Sequence, residues 1–256
     1  MTLESGAIWA FLLVFVRCSA LLLASPVFGA QSTPVAVRVF TTMAIAGALS
    51  VVVRPGVGPP PPDLYTLIVA IANEAFYGLV IGLFVTLALS AFQVAGAFMD
   101  FQIGLGSSQI VNPVSGFSST LLSNFKHLLA LVILFALGGH HVLFRALVES
   151  YSGSPMFGAE SLPALKAGVM ELVKSSALLG LQIATPIVAV SVVVDAALGL
   201  VNRAVPQMPV LLVGMPAKVA MGILALSLGL PALVSAVETS VGMATGALHD
   251  LILSGR

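Results

Sequence analysis

QVAGAFMDFQIGLGSSQIVNPVSGFSS, residues 93–119, is the stretch on which the fold turns. It is rich in small residues, and Asp100 is its only ionisable group. Very apolar segments flank it on both sides. A glycine-rich polar segment between apolar helices is either an ordinary connection or backbone buried in protein or lining a cavity. The second setting is the only one in which irregular backbone survives at membrane depth.

The flanks set the class. Of 256 residues, 59% are hydrophobic and 8% charged, and mean hydropathy is +1.11. A soluble domain carries about 25% charged residues, so this chain cannot cover a water-soluble surface of its size. Its apolar runs are long and do not alternate, which predicts membrane helices rather than a β-barrel. The fold class is all-α, built from about six apolar segments arranged as helical hairpins. Ten Lys and Arg balance ten Asp and Glu, and no basic patch exists, so nucleic acid is excluded as a partner. Basic residues are spread over nearly every connection, so no asymmetry marks an orientation. Cys18 is a single cysteine inside an apolar run, a small packing residue. The first charge is Glu4 and Arg17 interrupts the first run, which predicts a retained helix rather than a cleaved leader.

In chain order, the first helix is expected over Gly6–Ala24, and Ser25–Pro34 is a break. A second helix starts near Pro34, capped by Ser32 or Thr33, and runs to about Val53. Arg54–Asp63 is a stiff proline-rich connection, with Asp63 a cap for a third helix from Leu64 to about Asp100. That helix exceeds the ~20 residues a span needs, and is expected to tilt, bend or divide at Gly78 and Gly82; as small residues Gly78, Gly82 and Gly96 also allow close helix approach. A fourth helix is expected over Leu121–Glu149. An amphipathic start near Leu162 or Pro163 carries Lys166, Glu171 and Lys174 and leads into a fifth helix, interrupted by Pro186 and ending near Val201. Asn202–Pro216 reads as a tight connection before a sixth helix from Ala217. SPVFGAQSTP (25–34) and SPMFGAESLP (154–163) echo each other, although their flanks do not.

Arg17, Arg38, Glu74, Asp100, Asp195, Arg203 and Lys218 lie in or beside the apolar runs. A charge at mid-bilayer costs about 2.5–3.5 kcal/mol on insertion scales. These groups are therefore expected to pair, line a polar cavity or contact partner subunits; snorkelling to the interface is the bland alternative. Glu74 and Asp195 would be the cation sites of an ion- or proton-coupled small-molecule transporter, although hydropathy gives no inverted repeat. His140 and His141 are adjacent, so their side chains are expected to diverge by about 100° on a helix. No Cys/His spacing supports a metal. No nucleophile motif, P-loop or dinucleotide fingerprint appears; the expectation is a non-enzyme without cofactors.

A series of ordered motifs resembles the FliR family. They are Arg17 with Pro26-Val27-Phe28-Gly29, Pro34 and Arg38; Glu74 with Gly78 and Gly82; and Gly96-Ala97-Phe98-Met99-Asp100-Phe101-Gln102-Ile103-Gly104. Asn112-Pro113 follows, where the family usually has Asp-Pro, and Asn keeps the turn chemistry before proline. Gly139-His140-His141, Ser150, Arg203-Ala204-Val205-Pro206-Gln207-Met208, Gly214, Pro216 and Lys218 complete the series, which covers nearly the whole chain. The resemblance implies a subunit of the flagellar type III protein export gate, related to SctT-type proteins of injectisomes. It implies residues 1–256 as a single membrane-embedded unit, FliP-like over 1–160 and FliQ-like over 161–256. It further implies assembly with FliP-like and FliQ-like subunits and a FlhB-like one, flagellar proteins as cargo, contact with membrane lipid, and a place in the bacterial inner membrane at the basal body. By the same resemblance residues 104–118 plug the pore: Gly104, Gly106, Pro113 and Gly116 would shape the loop, and Ser107, Ser108, Gln109 and Asn112 would supply its polar contacts.

Overall fold

The computed structural model describes residues 2–26, 28–29, 33–53, 60–104, 121–151, 161–207 and 210–254. Among these every regular element is a helix: α1 Thr2–Ala24, α2 Val35–Val53, α3 Leu64–Ile103, α4 Leu121–Ala136, α5 Gly139–Glu149, α6 Ser161–Ala204 and α7 Val210–Ser254. Five are long and apolar enough to cross a membrane, and up to six spans result if α4 and α5 count as one. The chain is a membrane protein. α3, α6 and α7 have 40, 44 and 45 residues. At 1.5 Å per residue each is about 60 Å long or more, twice a hydrocarbon core.

The helices form two compact units interleaved in sequence. One contains Met1–Ala88, Gly138–Val173 and Val241–Arg256, the other Leu89–Leu137 and Lys174–Ser240. In the first, α1 presents Val14, Cys18, Leu21 and Leu22 at helical spacing to a core that includes Val80, Ile81 and Phe84 of α3. α3 passes through Gly78 and Gly82 without a break. These glycines are contact points rather than joints. A Cβ at Gly78 would stand 2.8 Å from the Ala20 Cβ and 3.0 Å from the Leu21 nitrogen, so only a bare backbone admits α1 this closely. The Thr86 hydroxyl donates to Ala24 O at 2.6 Å, satisfying a carbonyl that the end of α1 leaves without an intrahelical partner.

Asp63 caps α3, as its position predicts. Its carboxylate accepts the Thr66 N–H at 2.9 Å, and its carbonyl accepts the Leu67 N–H at 3.2 Å. The Thr66 hydroxyl and then its N–H hold the Asp63 carboxyl below its usual value. At the second helix the Arg38 N–H bonds Pro34 O at 3.3 Å, which places Pro34 itself at the cap.

Three boundaries differ from the sequence expectation. Leu121–Glu149 is not one helix: it divides at Gly138, whose φ of 71° is left-handed backbone that suits glycine. Pro186 does not interrupt α6, which runs through it; the lost N–H frees one carbonyl, that of Gln182, without unwinding the turn. Asn202–Pro216 is mostly helical, with α6 ending at Ala204 and α7 beginning at Val210, so Pro216 lies inside α7. Clustered prolines read as a loop, yet the apolar faces on both sides pull the backbone into helix. In the second unit Ala95, Met99 and Ile103 of α3 pack with Ala184 and Ile187 of α6 and Ala225 of α7. Most of the 154–163 echo lies outside the described residues.

Candidate functional site

Two buried polar centres stand out, one in each unit. In the first unit Arg17 is 2% exposed. Its Nε meets Glu74 Oε2 at 2.6 Å and its Nη2 meets Oε1 at 3.0 Å, a two-pronged pairing of guanidinium and carboxylate. Nη1 donates to Ser150 Oγ at 2.7 Å, and Ser150 Oγ donates to Leu147 O at 2.6 Å. The guanidinium carbon lies 3.7 Å from the Tyr151 ring centre and 4.6 Å from that of Tyr77, so two aromatic faces cover the cation. The Tyr151 hydroxyl reaches Glu74 Oε2 at 3.5 Å. Burial pushes that phenol well above its usual range, so it stays protonated and can donate. Each of the three guanidinium nitrogens of Arg17 has an acceptor. The cluster joins α1, α3 and the end of α5.

The second centre holds the base of the central segment. Asp100 is fully buried. Its Oδ2 accepts the N–H groups of Leu122 and Ser123 at 2.9 and 3.2 Å. Those are first-turn amides of α4, which have no intrahelical acceptor, and a negative charge there also opposes the helix dipole. The Ser123 hydroxyl donates to Gln93 O at 3.0 Å. Gly96, one turn before Asp100, makes the approach possible: a Cβ there would lie 2.5 Å from the Ser123 nitrogen and 2.7 Å from the Leu122 carbonyl carbon. The spacing Gly96-x-x-x-Asp100 thus carries a physical rule. The bare position lets α4 abut α3, and the carboxylate one turn later catches its free amides. At the other end of the segment Gly104 turns the chain out of α3 with φ 89°, its N–H bonding Asp100 O at 3.1 Å. Residues 104 and 121 are therefore fastened beside the same turn of α3.

Near this turn, Asp195 Oδ1 and Lys218 Nζ stand 2.5 Å apart, linking α6 to α7. They border a hollow of about 460 Å³ whose wall includes Gln102, Gly104 and Asn202. The pair is partly exposed, so its contribution to stability is small, about 0–1 kcal/mol.

A model of the family described as bacterial export proteins, family 1, matches residues 8–244. The chain belongs to this family. It is 32% identical to the flagellar biosynthetic protein FliR of Bacillus subtilis over 226 residues, which cover 85% of this chain and 84% of that one. The FliR of Caulobacter vibrioides is 33% identical over 218 residues, 85% of this chain and 87% of its own. The surface presentation of antigens protein SpaR of Salmonella typhimurium is 26% identical over 185 residues, 69% of each.

Within this member of the export family, Arg17 and Glu74 come together, as do Asp195 and Lys218, while Asp100 joins no cation among the described residues. Arg38 is half-buried on α2 and Arg203 is exposed in the last turn of α6. Gly106, Ser107, Ser108, Gln109, Asn112, Pro113 and Gly116 lie outside the described residues. The His140 and His141 rings do not diverge: their centres are 4.1 Å apart. Helical side chains lean toward the N-terminus, and there Gly138 and Gly139 offer no side chains to hold the rings apart. Tyr77, Tyr151 and Lys126 join the candidate residues only through the structure. Tyr77 stands three residues after Glu74, on the same helix face, which is a usable signal. Tyr151 has no such signal. Lys126 had one, a lone charge within an apolar helix.

Proposed function

We propose that this chain is a subunit of a flagellar type III export gate in the bacterial inner membrane at the basal body. It forms part of the protein-conducting pore together with FliP-like and FliQ-like subunits and a FlhB-like one. Residues 1–160 take the FliP-like role and 161–256 the FliQ-like role. The chain performs no catalysis; unfolded flagellar proteins pass the gate, and other components supply the energy. Residues 104–118 plug the closed pore, with Ser107, Ser108, Gln109 and Asn112 as polar contacts and Gly104, Gly106 and Gly116 as the points of motion.

The observation that carries this reading is the fastening of both ends of the central segment. Gly104 leaves α3 one turn after Asp100, and Leu122 and Ser123 are tied to the Asp100 carboxylate. A plug needs a fixed base and a body weakly enough held to move. Moving it from mostly closed to mostly open takes about 5.5 kcal/mol of differential binding. Helices of over 40 residues also suit hairpins packed on neighbours better than simple spans. In a transporter, Glu74 and Asp195 would be the cation sites, but each is already engaged by a cation of this chain.

Deleting residues 106–115 tests the plug. Gates assembled with the shortened chain are expected to leak ions across the membrane at rest, whereas wild-type gates hold. A fully assembled gate with the deletion and no added leak would contradict the assignment.

A further inference from the structure

Lys126, in the middle of α4, is 2% exposed. Among the described residues it has neither a hydrogen-bond nor an ion-pair partner. It lines a cavity of about 60 Å³ with Gln182 and Pro186 of α6 and Gly229 and Ala232 of α7. Gln182, Pro186 and Ala232 are exposed, so the cavity opens outward between α6 and α7. The small side chains at Ala225, Gly229 and Ala232 make the notch, and Lys126 supplies its only charge. Next in sequence to the lining residues Gln182 and Gly229, Leu181 is 44% exposed and Leu228 77%.

We infer that this notch receives an acidic side chain carried on an apolar helix of a neighbouring gate subunit. A lysine this nearly enclosed, with its ammonium at the notch and no counter-charge, is poorly solvated, and a carboxylate that is itself desolvated on arrival offsets that cost. The size fits: about 60 Å³ is ample for a carboxylate, since about 10–15 Å³ already admits a water. The lips fit as well, because exposed leucines flanking a single cation match a helix that is apolar apart from one Asp or Glu. Charge complementarity of this kind fixes register and partner choice more than raw affinity. Pro186 adds a second feature, since it frees the Gln182 carbonyl at the rim, where an incoming hydroxyl or amide can donate. The inference rests on the reading of the chain as a subunit of a hetero-oligomer.

The test is assembly of the whole gate, with the chain co-expressed beside its FliP-like and FliQ-like partners and the intact particle weighed after gentle detergent extraction. Lys126→Met keeps the bulk and removes the charge. The yield of complete particle is expected to fall about tenfold, because the partner carboxylate is left buried and unpaired. The thermal stability of the same variant purified alone should not fall. Lys126→Glu should abolish assembly, and Lys in place of one membrane-embedded Asp or Glu of a partner should restore it. Full assembly of both variants would overturn the inference while leaving the subunit reading intact. So would normal assembly of Lys126→Met with loss only of bound anionic lipid, which would assign the notch to a headgroup. Failure of the wild-type chain to join these partners would instead remove the subunit reading, and this inference with it.

Discussion

Arg17→Met is expected to lower stability by about 3–5 kcal/mol, because it strands the Glu74 carboxylate in a site built around a cation. The Arg17 side chain is 3% exposed and that of Glu74 12%. The guanidinium also fills the space between Tyr77 and Tyr151, so methionine leaves part of an aromatic slot empty. Glu74→Leu should cost a similar amount, since Arg17 would keep only Ser150 and the two rings. The informative variant is the double one. With both charges removed no buried ion remains uncompensated, and an apolar pair of similar bulk is often close to neutral. Thermal unfolding of the three variants in detergent checks this. Each single change is expected to lower Tm by about 10 °C, and the double change by much less than the sum. Additive losses would mean that the two residues do not act as a pair.

Asp100→Ala is the second large effect. It removes the acceptor for one buried and one part-buried amide of α4 and the negative charge at that helix terminus, at a cost of about 2 kcal/mol. Asn at the same position can still accept through its amide oxygen and should retain most of the stability, since Asn caps nearly as well as Asp. Gly96→Val should resemble the alanine variant by a different route, because its side chain collides with the backbone of Leu122 and Ser123. The functional consequence separates anchoring from plain stability. If Asp100 holds the base of the plug, assembled Asp100→Ala gates leak ions and Asp100→Asn gates do not. Equal leak from the two, in particles of equal composition, would detach Asp100 from the plug.

The sequence revealed the class and the helices more readily than the contacts. Long unalternating apolar runs predicted every major helix, and Asp63 read correctly as a cap because capping acts within one turn. Interactions across the chain were hidden. Arg17 and Glu74 were legible as charges needing partners, but residues 57 apart in sequence are paired only by the packing of α1 on α3. Asp100 likewise acts on amides 22 and 23 residues away. Its role as a cap for a different helix cannot be read from local pattern. Glycine and proline were legible only in part. Gly78, Gly82 and Gly96 read as points of close helix approach and serve as such, but Gly78 and Gly82 do not divide α3, whereas Gly138 lies within the expected fourth helix and ends it. Pro186 and Pro216 suggested breaks and sit within continuous helices, where packing and apolar surroundings outweigh a single lost hydrogen bond.

The most direct test of the account is the composition of the particle this chain forms. Co-expressed with FliP-like and FliQ-like partners and extracted gently, it is expected to appear in one large hetero-oligomer holding a single copy of this chain, measured as intact mass. A discrete monomer or homo-oligomer, indifferent to those partners, would contradict the account and bring the transporter reading forward.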